Sequence, residues 1–291
     1  AFLLGEFLSR RGFSVDFAAL GYPPREADLL VLNGAYGTLL WSGFKWILRA
    51  KHVWLVPHDS LYHQAALAYP PVFREVAQGL SRLLPIFYRF WSKRKSLYLL
   101  AVSEQNAEHL QELFRVEPFC IPNGVSVQPR LTEKVKAVVG EVETPFWGMV
   151  VSRWDWAKNP HVLLGLFRSM PSNISILVRS TPDGMFALST KCRLISWPPL
   201  ERKNLFWLEP LSDQTELWGL MSQADFVLLP SAYEGFGYVA LEAAALGVPV
   251  FLTPVGVGTE FAKDPVLESL LLRVPPYGNQ TPKEVWTQIE D

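Results

Sequence analysis

Two glutamates, Glu234 and Glu242, stand eight positions apart in SAYEGFGYVALEAAALGVPV (231–250), a stretch with no other charge. An unpaired carboxylate is costly to bury, so each needs a partner or a ligand. Three chemistries fit the spacing to different degrees. Gly235-Phe236-Gly237-Tyr238-Val239-Ala240 formally matches a dinucleotide fingerprint. The acid expected after the next strand is missing, because Leu252-Thr253-Pro254 stands there. A glycosidase pair needs carboxyl groups about 5–9.5 Å apart, whereas eight helical positions span about 12 Å. The third chemistry is a nucleotide-sugar site, with phosphates at the glycine turn and one glutamate towards each end of the donor. A helix N-terminus after a parallel strand favours an anion through its free N–H groups and dipole.

A second stretch, VVSRWDWAKNPHVLL, puts Arg153 at a strand end and Lys158 before the next helix. Two cations on a strand-to-helix loop can clamp a diphosphate from the side opposite the helix dipole. The alternative is a surface arginine and a solvated lysine.

The elements that must position these residues alternate between strand and helix. In the first half, DLLVL (28–32), HVWLV (52–56) and SLYLLAV (96–102) read as strands. A long helical region covers about 71–95, and Ser103 is placed to cap the helix carrying Leu110, Leu113 and Phe114. Leu3, Leu4, Phe7 and Leu8 repeat at helical spacing before Gly12, and FSVDFAAL reads as a strand. The polar stretch 126–145 reads as a link. Alternation restarts with the strand WGMVV and a helix opened by Asn159-Pro160. ISILV, NLFWL, the helix TELWGLMSQAD, ADFVLL, a helix over 238–246 and VPVFLT follow. Buried strands alternating with helices imply an α/β fold with parallel sheets covered on both faces.

The bulk numbers agree with such a fold. With 291 residues and 49% hydrophobic content, the chain can bury two cores. A net charge of −1 provides no overall field for nucleic acid, so any anion must meet a local site. Cys120 and Cys192 suggest neither a disulfide framework nor a zinc site, and a cytoplasmic location follows as an expectation. No apolar run reaches the ~20 residues of a membrane span.

On these motifs the chain resembles the retaining glycosyltransferases of family 4. Glu234 and Glu242 match that family's paired glutamates with seven residues between them. VSRWDWAKNP resembles its Gly-Arg…Lys-Gly phosphate loop, with Ser152 and Asn159 in place of the glycines. CIPNGV resembles the end of its N-terminal domain, and FLTPVGVGTEF its Gly-Gly-x-Pro-Glu stretch, with Val257 and Thr259 departing. The likeness is strong over 149–250 and loose before Leu100.

The resemblance implies a GT-B fold of two facing Rossmann-like domains, an acceptor-side domain over 1–130 and a nucleotide-sugar domain over 131–291. It also implies that the first strand, its glycine-rich loop and C-terminal helices crossing back lie outside 1–291. The implied reaction moves a sugar, with retention, from a nucleoside-diphosphate sugar to a glycan, lipid or small-molecule acceptor, without metal or other cofactor. Arg153 and Lys158 would hold the diphosphate, helped by Gly235 and the N–H groups of Phe236 and Gly237. Glu242 would take the ribose and Glu234 the donor sugar. The base would stack near 208–211, at Leu211. His58, in VPHDS after the strand HVWLV, would touch the donor sugar, with Asp59 either orienting it or capping a helix. Two rivals are a catalytically degenerate sugar-nucleotide-binding module and an NAD-dependent oxidoreductase.

PIFYRFWSKRKSLYLL (85–100) mixes aromatics with Arg89, Lys93, Arg94 and Lys95. It reads either as a peripheral membrane contact or as an ordinary helix ending in cations, which the macrodipole favours.

Overall fold

A computed structural model describes residues 8–16, 26–34, 42–58, 60–209 and 213–291 of the protein. The chain divides into two compact units, 1–62 with 75–122, and 63–74 with 123–291.

The first stretch of chain runs β1 (Ala27–Asn33), α1 (Ser42–Arg49), β2 (Ala50–Val56), α2 (Leu61–Ala68), α3 (Pro71–Ser81), α4 (Leu84–Ser92), β3 (Ser96–Ala101), α5 (Glu104–Phe114) and β4 (Phe119–Cys120). β1 to β4 form one parallel sheet in that order. Its strands read as apolar runs because they are packed from outside: Val53, Leu55, Leu97 and Leu99 are buried with Ile47, Trp91, Leu110 and Phe114. Ser103 caps α5 as its position predicts, accepting the Asn106 N–H at 3.0 Å.

The helical region expected over about 71–95 is built from two helices. Pro85 has no N–H and cannot continue a helix from the preceding turn, so α4 restarts with proline in its first turn. FSVDFAAL forms no strand over 13–16, and its remainder lies outside the described residues. Of the expected N-terminal helix, 8–10 are helical and 1–7 lie outside the described residues.

The second unit continues with α6 (Glu133–Gly140), β5 (Phe146–Trp154), a 3-10 turn (Trp156–Lys158), α7 (Pro160–Ser169), β6 (Ile174–Pro182), α8 (Gly184–Lys191) and β7 (Leu205–Trp207). Then come α9 (Gln214–Met221), β8 (Phe226–Leu229), α10 (Tyr238–Ala245), β9 (Val250–Leu252), α11 (Gly258–Phe261), α12 (Pro265–Glu268) and α13 (Pro282–Glu290). The stretch 126–145, expected as a link, contains α6. Thr132 accepts the Val135 N–H to start it, and its hydroxyl donates to Glu216 on α9 at 3.0 Å.

The parallel sheet runs β7-β6-β5-β8-β9. Alternate residues along β5 feed its two cores: Met149 and Val151 join α9 and α10 on one face, Val150 and Trp154 join α7 and α13 on the other. Strand order reverses between β5 and β8, and ligands bind open α/β sheets outside the carboxyl ends at such a switch.

α13 closes the second core. A capping box between Thr281 and Glu284 starts it. Trp286 is 2% exposed, and its indole N–H donates to the Leu166 carbonyl at 3.1 Å. Trp286→Ala should therefore destabilise the chain by about 4 kcal/mol, read as a fall in the thermal or urea midpoint; a change below 1 kcal/mol would show that α13 is not part of the core.

Candidate functional site

The loop after β8 is held by backbone and by bonds from three directions. The N–H groups of Ala232 and Tyr233 both donate to the Ala157 carbonyl, at 2.9 and 3.1 Å. The Tyr277 hydroxyl donates to the Ala232 carbonyl at 2.7 Å, and Thr253 donates to the Ser231 carbonyl at 2.6 Å. The glycine turn then leads into α10, where Gly237 takes φ +94° at the N-cap. That left-handed backbone costs an L side chain roughly 1–2 kcal/mol. Gly256 sits beneath the same turn: a Cβ there would lie 2.5 Å from the Phe236 carbonyl oxygen.

This pinning delivers Glu234 to Lys158. The Lys158 Nζ lies 2.5 Å from the Glu234 carboxylate, and their side chains are only 16% and 18% exposed. Ser231 adds its hydroxyl to the same oxygen at 2.8 Å. The chain itself therefore satisfies the Glu234 charge, where the sequence suggested ligand hydroxyls. A void of about 10 Å³, room for about one water, lies beneath Ser231, Glu234 and Gly237.

Lys158 is positioned by a short cap. The Asp155 carboxylate accepts the Lys158 N–H at 3.2 Å and so closes the 3-10 turn. Asn159 follows with φ +56°, the left-handed region that Asn tolerates better than most residues. Burial pushes the Asp155 carboxyl above its usual range, opposed by the charges of Arg153 and Lys158. Arg153 is more open, 56% exposed, and lies 2.7 Å from Asp183 and 3.4 Å from Asp155. The two cations read as one clamp thus rest on different acids.

Glu242, on α10, accepts from the Gln214 amide at 3.3 Å. Burial pushes its carboxyl up; the nearby Trp218 indole and Gln214 draw it partly back. The Trp218 N–H itself lacks a hydrogen-bond partner of good geometry. Glu242 in turn raises the Tyr238 phenol, adding to the effect of burial.

Beyond the carboxyl ends of β6 and β7 lies a cleft of about 400 Å³ lined by Ser180, Thr181, Trp197, Trp207, Leu208 and Glu209. Trp154, Trp197 and Trp207 pack mutually edge-to-face with centroids 5.1–5.6 Å apart. Leu208 borders this cleft, whereas Leu211 lies outside the described residues. On β6, Arg179 is in register with Val151, and its Nε is buried without a hydrogen-bond partner.

The structure thus gathers Arg153, Lys158, Glu234, Gly235, Phe236, Gly237 and Glu242 in the second unit, at the carboxyl ends of β5 and β8 and on α10. His58 belongs to the first unit, just past the carboxyl end of β2, and Asp59 lies outside the described residues. Asp155, Asp183, Ser231, Gln214 and Trp218 escaped the sequence reading. The two aspartates carried a signal, each preceding a short helical turn at capping position. Among the described residues, no group of three or more His, Cys, Asp or Glu could hold a metal ion.

The buried pair is testable as a unit. Lys158→Met should cost about 3 kcal/mol by leaving Glu234 buried and uncompensated. The double variant Lys158→Met/Glu234→Gln should recover much of that loss. Strictly additive losses in urea unfolding would show that the two side chains do not interact.

Comparison with known proteins adds the family. Residues 132–271 match the model of the family described as glycosyl transferases group 1. A D-inositol 3-phosphate glycosyltransferase of Corynebacterium urealyticum is 37% identical over 115 residues, 36% of this chain and 26% of that protein. The matched segment thus spans about a quarter of that relative's length. Among solved structures, sucrose-phosphate synthase from Thermosynechococcus elongatus superposes with a TM-score of 0.65 at 19% identity, covering 93% of this chain and 64% of that one. Anabaena Alr3699/HepE, solved with UDP and glucose, gives 0.64 at 18% identity, covering 90% and 67%. Such distant likeness establishes the fold. With its two parallel α/β sheets the chain has the GT-B fold, and over residues 132–271 it matches the glycosyl transferases group 1 family.

Proposed function

We propose that the protein transfers a sugar from a nucleoside-diphosphate sugar to an acceptor, with retention of configuration and without a metal, as a family 4 glycosyltransferase of the cytoplasm. The observation that carries this reading is the Lys158–Glu234 pair, held beside the glycine turn that opens α10. That arrangement sets a buried ammonium, free helix N–H groups and a carboxylate at the switch point of the sheet. The solved relative with UDP and glucose supports the ligand class.

In this reading the donor's diphosphate takes the ammonium of Lys158 and the guanidinium of Arg153. The N–H groups of Phe236 and Gly237 share its charge, with Gly235 beside them. Positive charge aimed where the leaving group becomes negative is electrostatic catalysis. Glu234, released from Lys158, accepts hydroxyls of the donor sugar, and Glu242 accepts those of the ribose. The base occupies the cleft bordered by Trp197, Trp207 and Leu208. His58 keeps the role the resemblance implies, contact with the donor sugar. The acceptor is a glycan, a lipid or a small molecule.

Two measurements test the reading. Glu234→Gln should lower turnover about 100-fold while donor Kd changes only a few-fold. Unchanged turnover would remove Glu234 from the catalytic machinery, and binding of donor with no transfer by the unaltered chain would leave a binding module. The second is a pH series. Burial raises the folded-state pKa of Glu242, so its contribution to stability is full below the unfolded pKa and is lost as pH rises through the folded one. Ribose hydroxyls need the carboxylate as acceptor. Donor affinity should therefore rise with pH just above the ordinary carboxylate range, and Glu242→Gln should flatten that rise. An unchanged slope in the variant would remove Glu242 from the ribose.

A further inference from the structure

In the first unit, the end of α3 and all of α4 carry more apolar surface than the core uses. The core-facing residues of α4 are Leu84, Tyr88 and Trp91, and those of α3 include Ala77 and Ser81. Away from them stand Val76, Leu80, Leu83, Ile86, Phe87 and Phe90, between 38% (Phe87) and 62% (Ile86) exposed. Within α3 the pair Val76 and Leu80, and at α4 the pairs Leu83 and Phe87, Ile86 and Phe90, are four apart, which places apolar residues on solvent-facing turns of each helix. A contiguous exposed patch of this kind marks an interaction surface.

The charge around this patch identifies its partner. Residues 75–95 contain Arg82, Arg89, Lys93, Arg94 and Lys95 against one acid, Glu75, in a chain whose net charge is −1. Lys95 is tied to the fold through the Leu48 and Ala50 carbonyls. Arg82, Arg89, Lys93 and Arg94 remain exposed beside the patch. The Arg94 guanidinium lies 3.8 Å over the Phe90 ring and donates to the Phe90 carbonyl at 3.0 Å, so cation and apolar surface are locked side by side. A twofold contact with a second copy would set these cations against their own counterparts. No helix among the described residues is long and apolar enough to cross a membrane.

We infer that this face of α3 and α4 docks on an anionic phospholipid bilayer. Ile86, Phe87 and Phe90 enter the acyl boundary while Arg89, Lys93 and Arg94 meet phosphate headgroups. The inference is independent of the donor site and concerns where the chain works.

Co-sedimentation with vesicles tests it. The chain should pellet with vesicles of phosphatidylcholine and phosphatidylglycerol in equal parts, and stay in solution with phosphatidylcholine alone. Ile86→Asn/Phe87→Asn should abolish pelleting; both side chains are exposed, so the near-ultraviolet circular dichroism should not change. Arg89→Gln/Lys93→Gln should weaken binding about thirtyfold. Absence of pelleting with anionic vesicles overturns the inference, as does equal pelleting by the variants. Self-association in sedimentation velocity that the Asn variants abolish would assign the face to a second copy instead and also overturn it.

Discussion

Lys158 and Glu234 are 76 residues apart in sequence and 2.5 Å apart in space. Each side chain is mostly buried. Removing either partner strands a charge in a poorly solvated place, so the elements around the pair are arranged to hold both at once. The Ala157 carbonyl takes two N–H groups from the loop carrying Glu234, and Asp155 fixes the turn carrying Lys158. The loop after β8 and the turn after β5 thus behave as one piece, placed where strand order reverses.

In the proposed reaction this arrangement makes donor binding an exchange of partners. The ammonium passes from a carboxylate to a diphosphate, and the carboxylate passes to hydroxyls. The buried charges never lack a counterpart, so desolvation is largely met before the ligand arrives. Arg153 differs. It is exposed and shared between Asp155 and Asp183, so its release costs less and its contribution is more open to screening by salt.

The sequence disclosed those parts of the molecule with local signatures. Strand runs, the Ser103 cap, the Asn159-Pro160 helix start and the glycine turn each show in a few neighbouring residues. The helix α6 did not show, because its Val135, Val138 and Val139 are β-branched and interleaved with lysine. The break between α3 and α4 is legible in Pro85, which lies within the helical region expected over about 71–95. The Lys158–Glu234 pairing has no local sign at all: long-range ion pairs follow from sheet order, which spacing does not encode. The mixture of aromatics and cations over 85–100 showed in the sequence, but which of its apolar residues face solvent became visible only once Leu84, Tyr88 and Trp91 were known to face the core.

The grouping of residues 63–74 with the second unit has a consequence for dissecting the protein. Tyr69 and Phe73 cover the Trp156 ring, with centroids 5.1 and 5.2 Å away, and Phe186 completes the cluster. Trp156 begins the very turn that presents Lys158. The chain passes between the units three times, at 62/63, 74/75 and 122/123. A cut at 122/123 therefore does not yield a self-sufficient second unit. It strips two aromatic rings from the turn on which the buried ion pair is mounted.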